Sequence, residues 1–81
     1  MAESIDALRR RAGNVSSDDL IACALALGWR YVGVSGGGHH KLAKAGQRPL
    51  AIPNHRRVKR RTALAILAQL ARGAAEERGP A

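Results

Sequence analysis

The sequence has few cysteines, few aromatic residues and no long apolar run. Cys23 is the single cysteine in 81 residues, so no internal disulfide can form and the chain fits a reducing compartment. No apolar run approaches the roughly 18 residues that a membrane helix requires, and the N-terminus lacks the apolar core of a signal peptide. We therefore expect a cytoplasmic protein that makes no membrane contact.

Acidic residues are missing from the middle of the chain. Between Leu20 and Ala75 there are ten Lys or Arg residues and no Asp or Glu, and the net charge is +8. A polycationic central region favours a polyanionic partner such as nucleic acid, whereas the plainer alternative is a solvated basic surface. A chain this short buries a thin core, so a site on its surface is favoured over a deep pocket.

A helix is predicted to begin after Ser16. Ser16 and Asp19 approximate a capping box, and Gly28 is placed to end the helix. Cys23 has apolar neighbours and is expected to be a small core residue. The predicted buried stripe consists of Leu20, Ile21, Ala24 and Leu25. Residues 1–14 are expected to form a leader that is a short helix or disordered.

Three strands and a second helix are predicted downstream. The strands span residues 29–34, 40–43 and 49–52. Short glycine-containing turns join them. The helix begins at Thr62 or just before it and ends at Gly73, which leaves 74–81 as a flexible tail. Its buried stripe consists of Ala63, Ile66, Leu67 and Leu70.

These elements predict an α+β domain over residues 15–73, in the order α-β-β-β-α. Short turns favour a three-stranded antiparallel sheet. Two amphipathic helices and one small sheet bury their apolar sides only when both helices cover the same sheet face. The other sheet face is then left open for a partner.

Alternation along the second strand predicts which histidine faces the open side. Leu42 is the only large apolar residue of that strand and should point to the helices, so His40 shares its face. His39 and Lys41 then point to the open face. In the third strand the residues predicted to point inward are Leu50 and Ile52.

The segment 35–55 holds all three histidines of the chain, and its residues bear on three kinds of chemistry: metal binding, phosphate binding and RNA cleavage. Cys23 and the histidines lack the spacing of a zinc site, and Gly36–Gly38 lack the lysine–serine ending of a phosphate-binding loop. RNA cleavage needs a base and an acid, for which histidine is suited, and cations that stabilise the phosphate. From the residues alone, His39 either catalyses such a reaction or only contacts phosphate.

Trp29 and Tyr31 occupy alternate positions of the first strand and therefore share a face. They either stack on nucleic-acid bases or pack against the helices. Packing is the expectation, because the domain is small and has no Phe.

Four short segments occur in a fixed order along the chain. They are Gly28-Trp29, Gly-Gly-His-His-Lys-Leu at 37–42, Ile52-Pro53-Asn54-His55, and the closing helix region from Val58 to Leu70. Together, over about residues 16 to 72, they resemble the HicA toxin family, small mRNA interferases of bacterial toxin–antitoxin pairs. Two positions depart from the family pattern: Gly38 stands where serine is usual, and Leu42 where an aromatic residue is usual.

The resemblance implies a fold like the double-stranded-RNA-binding domain and an endoribonuclease that cleaves mRNA with neither metal nor cofactor. It places the catalytic histidine at His39, with Gly37 and Gly38 in the loop that supports it. His55 falls on the family's P-x-H position, as a second acid or base or as an anchor of the strand end. The implied partner is a HicB-type antitoxin that covers the active site. We expect a monomer when free and a hetero-oligomer with the antitoxin.

Basic residues are predicted to hold the RNA phosphates. They are Lys41, Lys44, Arg48, Arg56, Arg57, Lys59, Arg60 and Arg61. The alternative from another class is a non-catalytic RNA-binding module, which would keep the fold and the basic face and contact phosphates and 2′-hydroxyls. A third alternative is a protein that works only as a subunit of a repressor complex.

Overall fold

The structure is a computed structural model that describes residues 2–78. The helices are α1 (Ile5–Arg10), α2 (Ser17–Ala26) and α3 (Arg60–Arg78), and Ala12–Asn14 add a turn of 3-10 helix. The strands are β1 (Arg30–Val34), β2 (His39–Ala43) and β3 (Leu50–Pro53). The predicted α+β class and α-β-β-β-α order are confirmed, with α1 in front. Within residues 2–78, no helix is long and apolar enough to cross a membrane.

The three strands form one antiparallel sheet in the order β1-β2-β3, as predicted. His40 pairs with Ile52, and Leu42 pairs with Leu50. Directly paired residues share a sheet face. Leu42, Leu50 and Ile52 are buried in the same apolar cluster as residues of α2 and α3. Both of these helices therefore cover one face, and the other face stays open.

The apolar stripes of the two long helices complete the core. The buried residues of α3 include Ala63, Ile66, Leu67 and Leu70, as predicted. In α2, Leu20 and Ala24 are buried, but Leu25 is 47% exposed and Cys23 is buried. The prediction for Leu25 is wrong, because the buried side of α2 follows the i, i+3, i+4 spacing of Leu20, Cys23 and Ala24.

The capping box at the start of α2 is confirmed. The amide of Asp19 donates to Ser16 Oγ at 3.1 Å, and the amide of Ser16 donates to Asp19 Oδ2 at 3.0 Å. At the other end, Gly28 adopts φ 92°, a left-handed conformation that glycine reaches at little cost. Local sequence signals therefore define both ends of α2.

The N-terminal segment contributes to the core. Ser4 caps α1 by accepting a hydrogen bond from the amide of Ala7, and Leu8 is fully buried. Arg11 pairs with Glu3 and with Asp19, whose Oδ2 lies 3.2 Å from the guanidinium. Contacts of α1 with α3 hold the segment on the domain. The domain boundary at residue 14 stays a prediction.

The prediction that Gly73 ends the last helix is wrong. α3 continues to Arg78, so the predicted tail is helical as far as the structure describes it, and residues 79–81 lie outside the described part. A Cβ at Gly73 would come within 3.2 Å of Gln47 Oε1, so glycine permits close approach of the β2–β3 turn. Lys44 Nζ lies 2.6 Å from Glu77 Oε1 and ties the helix end to that turn.

Candidate active site

An open cavity of about 620 Å³ lies on the open side of the sheet. Its lining residues are His39, Ala51, Pro53, His55, Arg57, Lys59 and Thr62. They come from the start of β2, from β3, from the connector 54–59 between β3 and α3, and from the first turn of α3. None of these described lining residues is acidic. The imidazoles of His39 and His55 and the cations of Arg57 and Lys59 therefore line one surface, and none of the described lining residues carries a carboxylate.

His39 is the first residue of β2 and is exposed on the open face. It pairs with Pro53, which lines the same cavity. Its amide donates to Ser35 Oγ at 3.3 Å, and its carbonyl oxygen accepts from the amide of Ser35 at 2.9 Å. The direction predicted from alternation is confirmed for His39.

The glycines before His39 form the β1–β2 turn. The amide of Gly38 donates to the carbonyl oxygen of Ser35 at 2.9 Å, and Gly38 adopts φ 80°. That conformation strains any residue with a Cβ. A Cβ at Gly37 would lie 3.6 Å from His39 Nδ1, so its absence leaves the space beside the imidazole open. The turn therefore leaves the His39 side chain exposed.

His55 reaches the cavity because its connector is docked on Val15 and on Ser17, the first residue of α2. The carbonyl oxygen of His55 accepts from the amide of Ser17 at 2.9 Å and from Ser17 Oγ at 3.1 Å. The amide of Val58 donates to the carbonyl oxygen of Val15 at 2.8 Å. Ser17 is a buried polar residue that sequence reasoning did not single out. The only sequence signal for it is its place beside the capping residue Ser16.

His40 lies on the helix side of the sheet, as predicted, and both of its ring nitrogens have partners. Tyr31 Oη lies 2.8 Å from Nδ1, and Asn54 Oδ1 lies 3.2 Å from Nε2. A metal ion at His40 would have to displace one of them. No group of three His, Cys, Asp or Glu side chains is placed for a metal within residues 2–78. Burial raises the pKa of the Cys23 thiol, which disfavours the reactive thiolate.

The two aromatic residues have different environments on the helix side of the sheet. Trp29 is buried in the core, which confirms the packing expectation for it. Tyr31 is 42% exposed and bonds to His40. A bulge in β1 between Tyr31 and Gly33 shifts the register there. No Phe, Tyr or Trp side chain of the described residues lines the cavity.

The predicted phosphate-binding residues fall into two groups. The first group consists of residues that line the cavity or are close in sequence to residues that do: Lys41, Arg56, Arg57, Lys59, Arg60 and Arg61. Of these, Arg57 and Lys59 line the cavity, and Lys41 pairs with the lining residue Ala51. Arg56 itself lines a separate depression with Ser17 and Asp18. The other two, Lys44 and Arg48, belong to the β2–β3 turn at the far end of β2, about 13 Å from His39 along the strand.

Lys44 is engaged in the fold. Its side chain is 9% exposed and pairs with Glu77, and Nζ also donates to the carbonyl oxygen of Leu27. Arg48 lies in a separate depression with Gln69 and Arg72. The structure therefore does not bring these two residues to the cavity.

A family model described as the HicA toxin of bacterial toxin–antitoxin systems matches residues 17–71. The match covers more than half of the chain and includes the sheet, His39 and His55. The chain belongs to the HicA toxin family. No curated protein and no solved structure matches it. The resemblance inferred from the four sequence segments is thus confirmed, and family membership assigns the chain to the toxins of toxin–antitoxin systems. The α1 helix lies outside the matched range.

Proposed function

We propose that this HicA-family toxin is a metal-independent endoribonuclease that cleaves mRNA, with His39 and His55 as its acid and base. The observation that carries the proposal is the meeting of both imidazoles with Arg57 and Lys59 in one open cavity. Histidine exchanges protons near neutral pH, so one imidazole can take a proton while the other gives one. No bound cofactor is required for that exchange.

The reaction is an internal phosphoryl transfer within RNA. One imidazole takes the proton of a 2′-hydroxyl, and the 2′-oxygen attacks the adjacent phosphorus. The bond from phosphorus to the 5′-oxygen breaks, and the other imidazole protonates that oxygen. The products are a 2′,3′-cyclic phosphate and a free 5′-hydroxyl. Arg57 and Lys59 line the same cavity, and in this proposal they stabilise the charge on the phosphate in the transition state.

RNA is held mainly through its backbone. Besides the two histidines, the described lining consists of Ala51, Pro53, Arg57, Lys59 and Thr62, and it contains no Phe, Tyr or Trp on which a base could stack. Exposed cations continue from the connector into the first turn of α3 through Arg60 and Arg61. Such a surface follows a flexible single strand by its phosphates. We propose that mRNA binds here in the cytoplasm.

The deciding experiment incubates the purified protein with mRNA in EDTA. Wild type should produce fragments with 2′,3′-cyclic phosphate ends, whereas His39→Ala should bind the RNA and leave it intact. RNA that wild type binds without cutting would overturn the enzyme assignment and favour the non-catalytic RNA-binding module. Equal cleavage by wild type and His39→Ala would overturn the role of His39.

We also propose that a HicB-type antitoxin inhibits the toxin by covering this cavity. The support is family membership together with the net charge of +8, which favours an acidic partner surface. The free toxin should be a monomer, and the inhibited form a hetero-oligomer. Co-purification with the product of the neighbouring reading frame, followed by sizing and the RNA assay, tests this arrangement.

A further inference from the structure

A chain of three side chains connects β1, β2 and the connector that carries His55. Tyr31 Oη lies 2.8 Å from Nδ1 of His40, and Nε2 of His40 lies 3.2 Å from Oδ1 of Asn54. Both distances are within the range of hydrogen bonds. The imidazole of His40 therefore bridges two elements that are separate in the sequence.

The chemistry of the three groups gives this chain a direction. An amide oxygen only accepts hydrogen bonds, so Nε2 of His40 donates to Asn54. In the neutral ring Nδ1 then accepts, and the hydroxyl of Tyr31 is the donor. Tyr31 thus selects the tautomer of His40 that can bond Asn54. The tilted Tyr31 and His40 rings, with centroids 5.7 Å apart, pack against each other as well.

Each end of the His40–Asn54 bond is a sequence neighbour of a cavity histidine. His40 follows His39 on β2, and Asn54 precedes His55 in the connector. His39 and His55 line the open cavity, while His40 shares the sheet face of Leu42. A side-chain bond beneath the sheet therefore ties together the two backbone positions that present the imidazoles above it.

The connector 54–59 requires a link to β2 if His55 is to stay at a fixed distance from His39. Residues 54–57 are exposed. The described backbone bonds of His55 and Val58 join the connector to Pro53 of β3, to Ser17 of α2 and to Val15, and none of them joins it directly to β2. Proton transfer requires the two imidazoles at a set distance from one phosphate, and a displacement of about 1 Å can cost about a hundredfold in rate. The Asn54 amide links the connector to the strand that carries His39.

We propose that the chain Tyr31–His40–Asn54 sets the separation of the His39 and His55 imidazoles, which makes His40 and Asn54 positioning residues. The expected effect of this chain of side chains on RNA cleavage rests on the proposed function. Its effect on the positions of the His39 and His55 rings does not, and that effect is measured separately.

The test compares Asn54→Ala, Asn54→Asp and Tyr31→Phe with wild type in RNA cleavage. Asn54→Ala should lower kcat at least about tenfold with little change in KM, because RNA contacts stay in place. Asn54→Asp keeps the acceptor oxygen and should restore kcat, while its charge raises KM for RNA. Tyr31→Phe removes one hydroxyl and should give a smaller loss of kcat than Asn54→Ala.

The matched control is Gln47→Ala. This variant also loses one side-chain amide hydrogen bond, the one that Gln47 Nε2 donates to Glu76 Oε2 at 2.8 Å. That bond lies at the far end of the sheet from His39. The variant should keep the kcat of wild type. A loss of kcat in Gln47→Ala equal to that in Asn54→Ala would overturn the proposal, since it would reflect general destabilisation.

Histidine side-chain NMR supplies the readout that does not need catalysis. The ring resonances of His39 and His55 should shift in Asn54→Ala and stay in place in Gln47→Ala. If they stay in place in Asn54→Ala, or if kcat is unchanged there while wild type cleaves RNA, the positioning role is wrong. If wild type cleaves no RNA, the proposed function fails, and the ring resonances alone decide the positional claim.

Discussion

His39 and His55 belong to different elements, yet they line the same cavity. His39 is the first residue of β2, and His55 lies two positions beyond Pro53, the last residue of β3. The antiparallel register pairs His39 with Pro53, which brings the residue two positions beyond Pro53 close to the start of β2. The two imidazoles reach one cavity through the sheet register and through the docking of the connector on Ser17.

Replacing His55 by alanine tests whether it is an acid or base or only an anchor. We expect kcat for RNA cleavage to fall by about 10²–10⁴, the usual contribution of one proton-transfer group. Free imidazole in the buffer should restore part of the rate, because it can carry the missing proton. A kcat loss without any rescue would indicate that His55 anchors the strand end instead.

Arg57 and Lys59 should contribute to RNA affinity through phosphate contacts. For Arg57→Ala or Lys59→Ala, the slope of log affinity against log salt for single-stranded RNA should decrease by about 0.7. Arg72→Ala is the matched control, because Arg72 is exposed beside Arg48 at a different depression. Fluorescence anisotropy at several salt concentrations measures the slopes. A larger change for Arg72→Ala would place the RNA path elsewhere.

Leu8→Ala measures how far α1 belongs to the domain. Leu8 is fully buried, and truncation of a buried leucine lowers the free energy of unfolding by about 2–5 kcal/mol. Leu25→Ala is the control, since Leu25 is 47% exposed and surface changes stay within about 0.5 kcal/mol. Urea unfolding measures both variants. Equal small losses would show that residues 1–14 are an accessory leader.

Gly38 is predicted to be required by the turn before His39. Its φ of 80° is left-handed, and a side chain there costs about 1–2 kcal/mol. Gly38→Ala and Gly38→Ser should therefore both lower the thermal midpoint, although the space around the position is open. Gly36→Ala, in the same turn without a left-handed φ, should change it little. An unchanged midpoint for Gly38→Ser would show that the turn accommodates the serine usual in the family.

The capping box makes stability depend on pH through Asp19. The amide of Ser16 is the main cause that holds the pKa of Asp19 below its ordinary value of 3.8, and Arg11 adds to the effect. A lowered folded-state pKa stabilises the fold above the ordinary value, and this contribution is lost as pH falls through the lowered pKa. Asp19→Asn should thus be destabilised at neutral pH, by about 1 kcal/mol for the cap.

The difference between wild type and Asp19→Asn should shrink as pH falls below 3.8, because protonated Asp19 resembles Asn. Unfolding curves from pH 7 to pH 2 measure it. Asp18→Asn, an exposed acid in the same turn, is the control and should show a smaller difference at neutral pH. A constant difference across the whole range would contradict the role of the Asp19 charge.

Local signals in the sequence were sufficient for most of the element order. Ser16, Asp19 and Gly28 define α2 because capping groups and left-handed glycines act on the backbone within a few residues. Alternation around Leu42 assigned opposite faces to His39 and His40, since strand side chains alternate whatever the strand packs against. Gly73 shows where local reasoning failed, because its role is close packing against Gln47, a residue distant in the chain.

By itself, the sequence determined the α+β order, the outward direction of His39, the basic middle of the chain and the family. These follow from neighbouring residues and from composition. Only the tertiary structure decided that His55 lines the same cavity as His39. It also decided that Lys44 pairs with Glu77, and that the His40 ring bonds both Tyr31 and Asn54. Such pairings depend on sheet register and helix docking, which join distant residues and leave no periodic pattern in the chain.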